Sequence, residues 1–181
     1  YAMVVAVNDP PTLSATGNTP TYTENGSAVD LFSSVSVSTV EAGQTITSLT
    51  LTAANLADGT SEILHMDGTD IALTNGNSGT TATNSMSYSV SLSGSTATIT
   101  LSKGGGISGA AAATLVDGIT YRDSSENPNT TNRVFTLTSI TDNGGTSNGG
   151  SDTTSLSVAS TITVVTVNDA PTISAPGSIG V

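Results

Sequence analysis

The chain predicts an all-β fold, a sandwich or barrel of short antiparallel strands with one short helix, and three observations carry that expectation. The first is a period of two. Met86, Tyr88, Val90 and Leu92 alternate with Ser87, Ser89, Ser91 and Ser93, and Ala97, Ile99 and Leu101 alternate with threonines. Such alternation gives a strand one buried and one wet face. The second is punctuation. Asp58-Gly59, Asp67-Gly68, Asn75-Gly76, Ser93-Gly94 and Asn143-Gly144 separate the runs, and these dipeptides supply the positive φ that tight hairpins require. The third is a single exception, the alanine run within residues 108–116.

In chain order, Leu49, Leu51 and Ala53 mark one strand, the Met86–Leu92 and Ala97–Leu101 runs a hairpin, and Val134, Phe135, Leu137 and Ile140 a further strand. Leu156, Val158, Ile162 and Val164 mark a long last strand. Ser108 is placed to cap a helix of about two turns, and Asp117-Gly118 to stop it, so residues 108–116 read as a helix crossing between strands. Gly104-Gly105-Gly106 reads as a loop. It lacks the lysine pattern and flanking elements of a phosphate-binding loop.

Charge narrows the functions. Lys and Arg number 3 against 14 Asp and Glu, a formal net charge of −11. Most carboxylates must therefore be solvated or neutralised by an outside cation. Nucleic acid needs a basic surface for its phosphates, and an anionic membrane surface needs the same. No run approaches the ~18 apolar residues of a membrane helix. There is no cysteine, hence no disulfide or thiol chemistry. A domain of this size buries about 70% of its unfolded surface and needs no covalent staple.

One phrase occurs twice. Val7-Asn8-Asp9-Pro10-Pro11-Thr12 near the start returns as Val167-Asn168-Asp169-Ala170-Pro171-Thr172 near the end, an offset of 160 residues from Asp9 to Asp169. Val4-Val5-Ala6 likewise aligns with Val164-Val165-Thr166, and Leu13-Ser14-Ala15 with Ile173-Ser174-Ala175. A phrase at both edges of a domain-sized block is the mark of a tandem array. The expected organisation is therefore 1–11 as the end of a preceding repeat plus linker, 12–166 as one β-sandwich repeat, and 167–181 as linker and start of the next.

The Asn-Asp-x-Pro linker, Glu24 in Tyr22-Thr23-Glu24-Asn25-Gly26, the segment Glu41–Leu49 and Thr138-Ser139-Ile140-Thr141-Asp142-Asn143-Gly144-Gly145 together resemble bacterial cadherin-like and immunoglobulin-like repeats of large secreted surface proteins and adhesins. The resemblance implies an immunoglobulin-like (cadherin-like) antiparallel β-sandwich, with the short crossover helix near 108–116. It also implies calcium at the junctions of consecutive repeats, because Ca²⁺ takes about six to eight hard oxygens and a junction can gather them from two modules and a linker. By position it assigns Asn8, Asp9 and Glu41 to an N-terminal half-site. Glu24, Asp142, Asn168 and Asp169 fall to a C-terminal one. Two departures stand out: Thr39 occupies a position where the family carries an acid, and the linker lacks a further Asp and Asn.

Other candidates read more plainly. His65, the single histidine, lies in the apolar run Ile63-Leu64-His65-Met66 and reads as packing or surface. No second histidine or marked serine joins it in a metal site or triad. Asp58, Asp67, Asp70, Asp117, Asp123 and Asp152 read as turn residues. Asp123 and Glu126 are expected to pair locally with Arg122 and Arg133. Asn25-Gly26-Ser27 and Asn129-Thr130-Thr131 fit the N-glycosylation pattern.

The resulting expectation is a non-enzymatic structural repeat of an extracellular fibre, secreted or at a bacterial cell surface, whose partners are its neighbouring repeats. Two alternatives stay open. One is a binding module for a cell-surface glycan or peptide, built from the helix segment and the 75–85 and 124–132 loops. The other is a filament subunit in which residues 1–7 add as a β-strand to a neighbour.

Overall fold

The computed structural model describes residues 3–173. Residues 1–2 and 174–181, at the outer ends of the two expected flanking segments, lie outside the described residues. The protein is mostly β and its sheets enclose one core. Its strands are β1 (Thr12–Gly17), β2 (Thr21–Thr23), β3 (Val29–Asp30), β4 (Phe32–Ser38), β5 (Ile46–Ala54), β6 (Glu62–Met66), β7 (Thr69–Ala72), β8 (Ser78–Thr80), β9 (Ser87–Ser93), β10 (Thr96–Ile107), β11 (Thr120–Asp123), β12 (Arg133–Asp142) and β13 (Thr153–Val165). The helix α1 spans Gly109–Asp117.

One sheet has seven strands in the order β2-β13-β12-β5-β10-β9-β8. Its pairs are antiparallel except β2 with β13, which run parallel. Facing it, β3-β11-β6-β7 form a second sheet and β1 pairs with β4. Leu31 alone separates β3 from β4, and its N–H donates to Ile119 O at 3.0 Å. The order β1, β3/β4, β11, β6, β7 thus runs nearly unbroken. Register places Leu51 opposite both Ile99 and Leu137, all fully buried. Tyr121 of β11 lies edge-on to Tyr22 at 5.8 Å and meets Phe135 of β12 at 5.3 Å, which joins the layers across the core.

The outer face of the large sheet follows from the same alternation. Ser91, Thr98, Thr52 and Thr136 stand in one row across four strands. Thr80, Ser87, Ser102, Ser48, Thr141 and Thr153 stand in another across six. Both rows are hydroxyl-bearing and free of charge, so cross-strand pairing here is by β-branched and hydroxyl contact.

Helix α1 forms where the alanine run predicts it. Ser108 has extended backbone and its hydroxyl accepts from the Ala111 N–H, while Gly118 N donates back to Thr114 O. Ala112, Leu115 and Val116 face the core. The glycine run corrects the sequence expectation. Gly104–Gly106 is not a loop but lies inside β10, where the register jumps from Ser102 opposite Ser48 to Ile107 opposite Ile46. Gly106 has φ +64°, and a Cβ there would meet Thr45 Oγ1 at 2.3 Å, so the glycines let the strand bulge against β5 without breaking it. The Asp67-Gly68 hairpin forms as predicted, with φ of +51° and +76° between paired Met66 and Thr69.

Truncating Leu137 to alanine is expected to cost about 2–5 kcal/mol, whereas Ser91→Ala on the outer face stays within about 0.5 kcal/mol. Denaturant midpoints of the two variants against the parent check this. Equal midpoints would contradict the core assignment.

Candidate metal centre

The linker residue Asn8 is drawn into one end of the sandwich. Its amide nitrogen donates to Asp142 Oδ1 at 3.1 Å, Gly145 O at 3.2 Å and Ser151 O at 2.6 Å, and its carbonyl accepts from Ser151 N at 3.0 Å. A Cβ on Gly144 would lie 1.9 Å from Asn8 Oδ1, so this docking needs the glycine that follows Asn143. The next residue, Asp9, donates its N–H to Glu41 Oε1 at 2.9 Å.

These contacts gather oxygens. Gln44 Nε2 donates to Asn8 Oδ1 at 2.6 Å, and the other end of that amide lies 3.3 Å from Asp142 Oδ2, Glu41 Oε2 and Thr39 O. A neutral amide thus stands among two carboxylates and two carbonyl oxygens. Thr39 contributes through its backbone, which restores an oxygen at the position where the side chain is not acidic.

The opposite end is built on Glu24. Its backbone N–H donates to Val165 O at 2.8 Å where β13 finishes, and its Oε2 accepts from Val167 N at 2.7 Å. The side chain is 3% exposed, yet among the described residues Oε1 has no hydrogen-bond partner. Carboxylate oxygens of Glu24, Glu126 and Asp169 lie within 4.8 Å of one another. Asn25 Nδ2 reaches Glu126 Oε2 at 3.5 Å, and Asn168 turns its amide to Asp169 O at 3.2 Å. A buried carboxylate oxygen without a partner is costly, and the three carboxylates of this cluster repel one another unless a cation joins them.

The expected grouping therefore changes in one respect. Asn8, Asp9 and Glu41 do meet, and Glu24 does meet Asp169. Asp142 belongs with Asn8 and Glu41 at the N-terminal end, not with Glu24, because β12 ends beside the incoming linker. Its place beside Glu24 is taken by Glu126, which the sequence suggested only as an ion-pair partner for arginine. No spacing in the sequence marks Glu126; the turn after β11 brings it across the 101 residues that separate it from Asn25.

A second cluster, Asp58, Glu62 and Asp123, is already occupied by Arg133. This guanidinium is fully buried. Its Nε donates to Glu62 Oε1, and one terminal nitrogen reaches Asp58 Oδ2 at 2.6 Å and lies 3.9 Å from Asp123 Oδ2. Tyr121 adds its hydroxyl to Glu62 Oε1 at 3.0 Å. Among the described residues Glu126 takes no part in an ion pair, and Arg122 pairs with Asp70 at 2.9 Å. Burial pushes the Asp123 carboxyl up to about 6, and the neighbouring Asp58 and Glu62 add to the rise against an opposing hydrogen bond from Ser125 N.

Comparison with known protein families, curated proteins and solved structures gives no match to this chain.

An acid whose folded pKa is raised binds its proton more tightly in the folded state. Its contribution is therefore fully present below the ordinary carboxyl value of 3.8 and is lost as pH rises through about 6. Asp123→Asn is expected to remove that loss, so the stability gap between variant and parent should widen in the variant's favour between pH 4 and pH 6. Urea unfolding at both pH values measures it, and a pH-independent gap would refute the assignment. Arg133→Gln, which strands buried carboxylates, is expected to cost about 3–5 kcal/mol.

Proposed function

We propose that the chain is one immunoglobulin-like, cadherin-like unit of an extracellular fibre or adhesin, a non-catalytic spacer whose joints are stiffened by Ca²⁺. The observation that carries this reading is the buried Glu24, which has one carboxylate oxygen without a partner among the described residues and whose carboxylate lies within 4.8 Å of those of Glu126 and Asp169. The strand order supports the fold assignment. Immunoglobulin-type sandwiches set strands A-B-E-D against C-F-G, and β1, β3/β4, β11 and β6 facing β5, β12 and β13 follow that order. The extra hairpin β9–β10 and helix α1 are then insertions between strands D and E.

The two ends are complementary through the repeated phrase. Asn8-Asp9 and Asn168-Asp169 are equivalent positions, one seen entering a unit and the other seen leaving it. In an array, Asn168 would enter the next unit as Asn8 does here. Glu24, Glu126 and Asp169 would then stand near that unit's own counterparts of Glu41 and Asp142. Such a joint supplies carboxylates, an amide oxygen and backbone carbonyls, the donor set that Ca²⁺ prefers over softer metals. The ion supplies the positive charge this acidic chain lacks, and it ties two modules and a linker into one body. The excess of carboxylates over cations also fits a secreted or cell-surface setting, where calcium is abundant enough for sites of modest affinity.

Thermal melts in EGTA and in millimolar CaCl₂ test the joint. Stabilisation by a bound ion at about 10–100 times its dissociation constant is about 1.4–2.7 kcal/mol, which for this length raises Tm by about 3–10 °C. Glu24→Gln should lose most of that rise while melting normally in EGTA. A Tm indifferent to calcium, in the single unit and in a two-unit chain, would eliminate the calcium joint.

A further inference from the structure

Away from both joints, the β6–β7 hairpin, the 81–85 loop and the last turns of α1 enclose a cavity of about 340 Å³, lined among others by His65, Asp67, Thr83, Asn84, Thr114 and Leu115. We propose that this cavity is a binding site for one neutral pyranose unit of a glycan. It draws on none of the residues of the calcium joint and stands independently of that reading.

The wall is held rigid from behind. Asp67 is 7% exposed, and its carboxylate accepts from the Thr81 hydroxyl, from Asn84 N at 3.1 Å and from the Asn84 side-chain amide. Its carbonyl accepts from Thr83 N at 3.0 Å, and Lys103 Nζ donates to Asn84 O at 2.6 Å. The loop that forms one side of the cavity is thus tied down at Thr81, Thr83 and Asn84. A preformed site avoids the ordering entropy of binding.

The imidazole on the rim is also positioned. His65 Nδ1 lies 2.7 Å from Asp70 Oδ1, and the other oxygen of Asp70 accepts from Arg122 at 2.9 Å. These two hydrogen bonds, His65 first, hold the Asp70 carboxyl below its ordinary range. With Nδ1 engaged, Nε2 is the nitrogen of this side chain left for a ligand. One of only three cations and the single histidine of the chain are therefore committed to this rim.

The chemistry selects the ligand class. Asp67 and Asp70 have both carboxylate oxygens hydrogen-bonded within the protein, which weakens their grip on an amine. The net charge of −11 repels anions at long range. What remains is His65 Nε2, the Thr83 hydroxyl, the Asn84 amide oxygen and, as an acceptor only because it donates to Ala110 O at 3.1 Å, the Thr114 hydroxyl, beside the half-buried Ala111 and the edge of Leu115. Convergent neutral hydrogen-bonding groups beside a small apolar surface suit sugar hydroxyls and a C–H face. The volume, at the low end for ligand sites, suits one ring.

The test is a ¹H–¹⁵N NMR titration of the whole chain with methyl glycosides of glucose, galactose, mannose and N-acetylglucosamine, and with acetyl-lysine amide as a peptide-like probe. At least one glycoside is expected to saturate with a dissociation constant on the order of 1 mM, shifting the amides of residues 65–68, 83–84 and 111–118. His65→Phe and Thr83→Val should each weaken it about tenfold, while Ser91→Ala on the far sheet leaves it unchanged. Absence of saturable shifts with every glycoside overturns the proposal. So does saturation by the lysine probe alone, or binding that survives both cavity variants undiminished.

Discussion

A shortage of cations organises this molecule. Three basic side chains face fourteen acidic ones, and the fold uses all three within its own framework. Arg133 is buried among Asp58, Glu62 and Asp123, Arg122 pairs with Asp70, and Lys103 is bonded to a loop carbonyl. None reaches Glu24, Glu126 or Asp169. Local ion pairs cannot neutralise the ends of the sandwich, so the ends are where an external cation has most to offer.

The buried Arg133 network has a different task. A guanidinium taken from water is tolerated only when its donors are satisfied, and here β6, β12, the end of β11 and the turn at Asp58 all contribute. The network ties the two layers together at one pole, close to the turn that carries Glu126. Asp123 is the weak member: its Oδ2 has no hydrogen-bond partner, and its neighbours are carboxylates. Burial first, and then the neighbouring Asp58 and Glu62, push its carboxyl above the ordinary range.

Acidity and hydroxyl content are also segregated. The broad outer face of the seven-stranded sheet carries rows of Ser and Thr, whereas the carboxylates gather at the ends, the hairpin turns and the Arg133 pole. In a linear array such segregation places charge at the joints and leaves the sides neutral. The proposed sugar cavity lies between the β6–β7 hairpin, the 81–85 loop and α1 and shares no residue with the carboxylate clusters at the ends.

Strands β5, β9, β10, β12 and β13, the hairpin at Asp67-Gly68 and the capped helix were legible from the sequence because each follows from local stereochemistry: side-chain alternation, positive φ and an N-cap hydroxyl. The repeated linker was legible as a phrase, and the structure brings Asp9 beside Glu41 and Asp169 beside Glu24. Tertiary structure alone decided that Asp142 closes the N-terminal end, that Glu126 joins Glu24, that Arg133 is buried among three acids, and that Gly104–Gly106 bulges within a strand. These depend on which strand ends share a pole and on register between strands far apart in the chain. Local sequence carries no record of such distances, because they are set by how two sheets close over a common core.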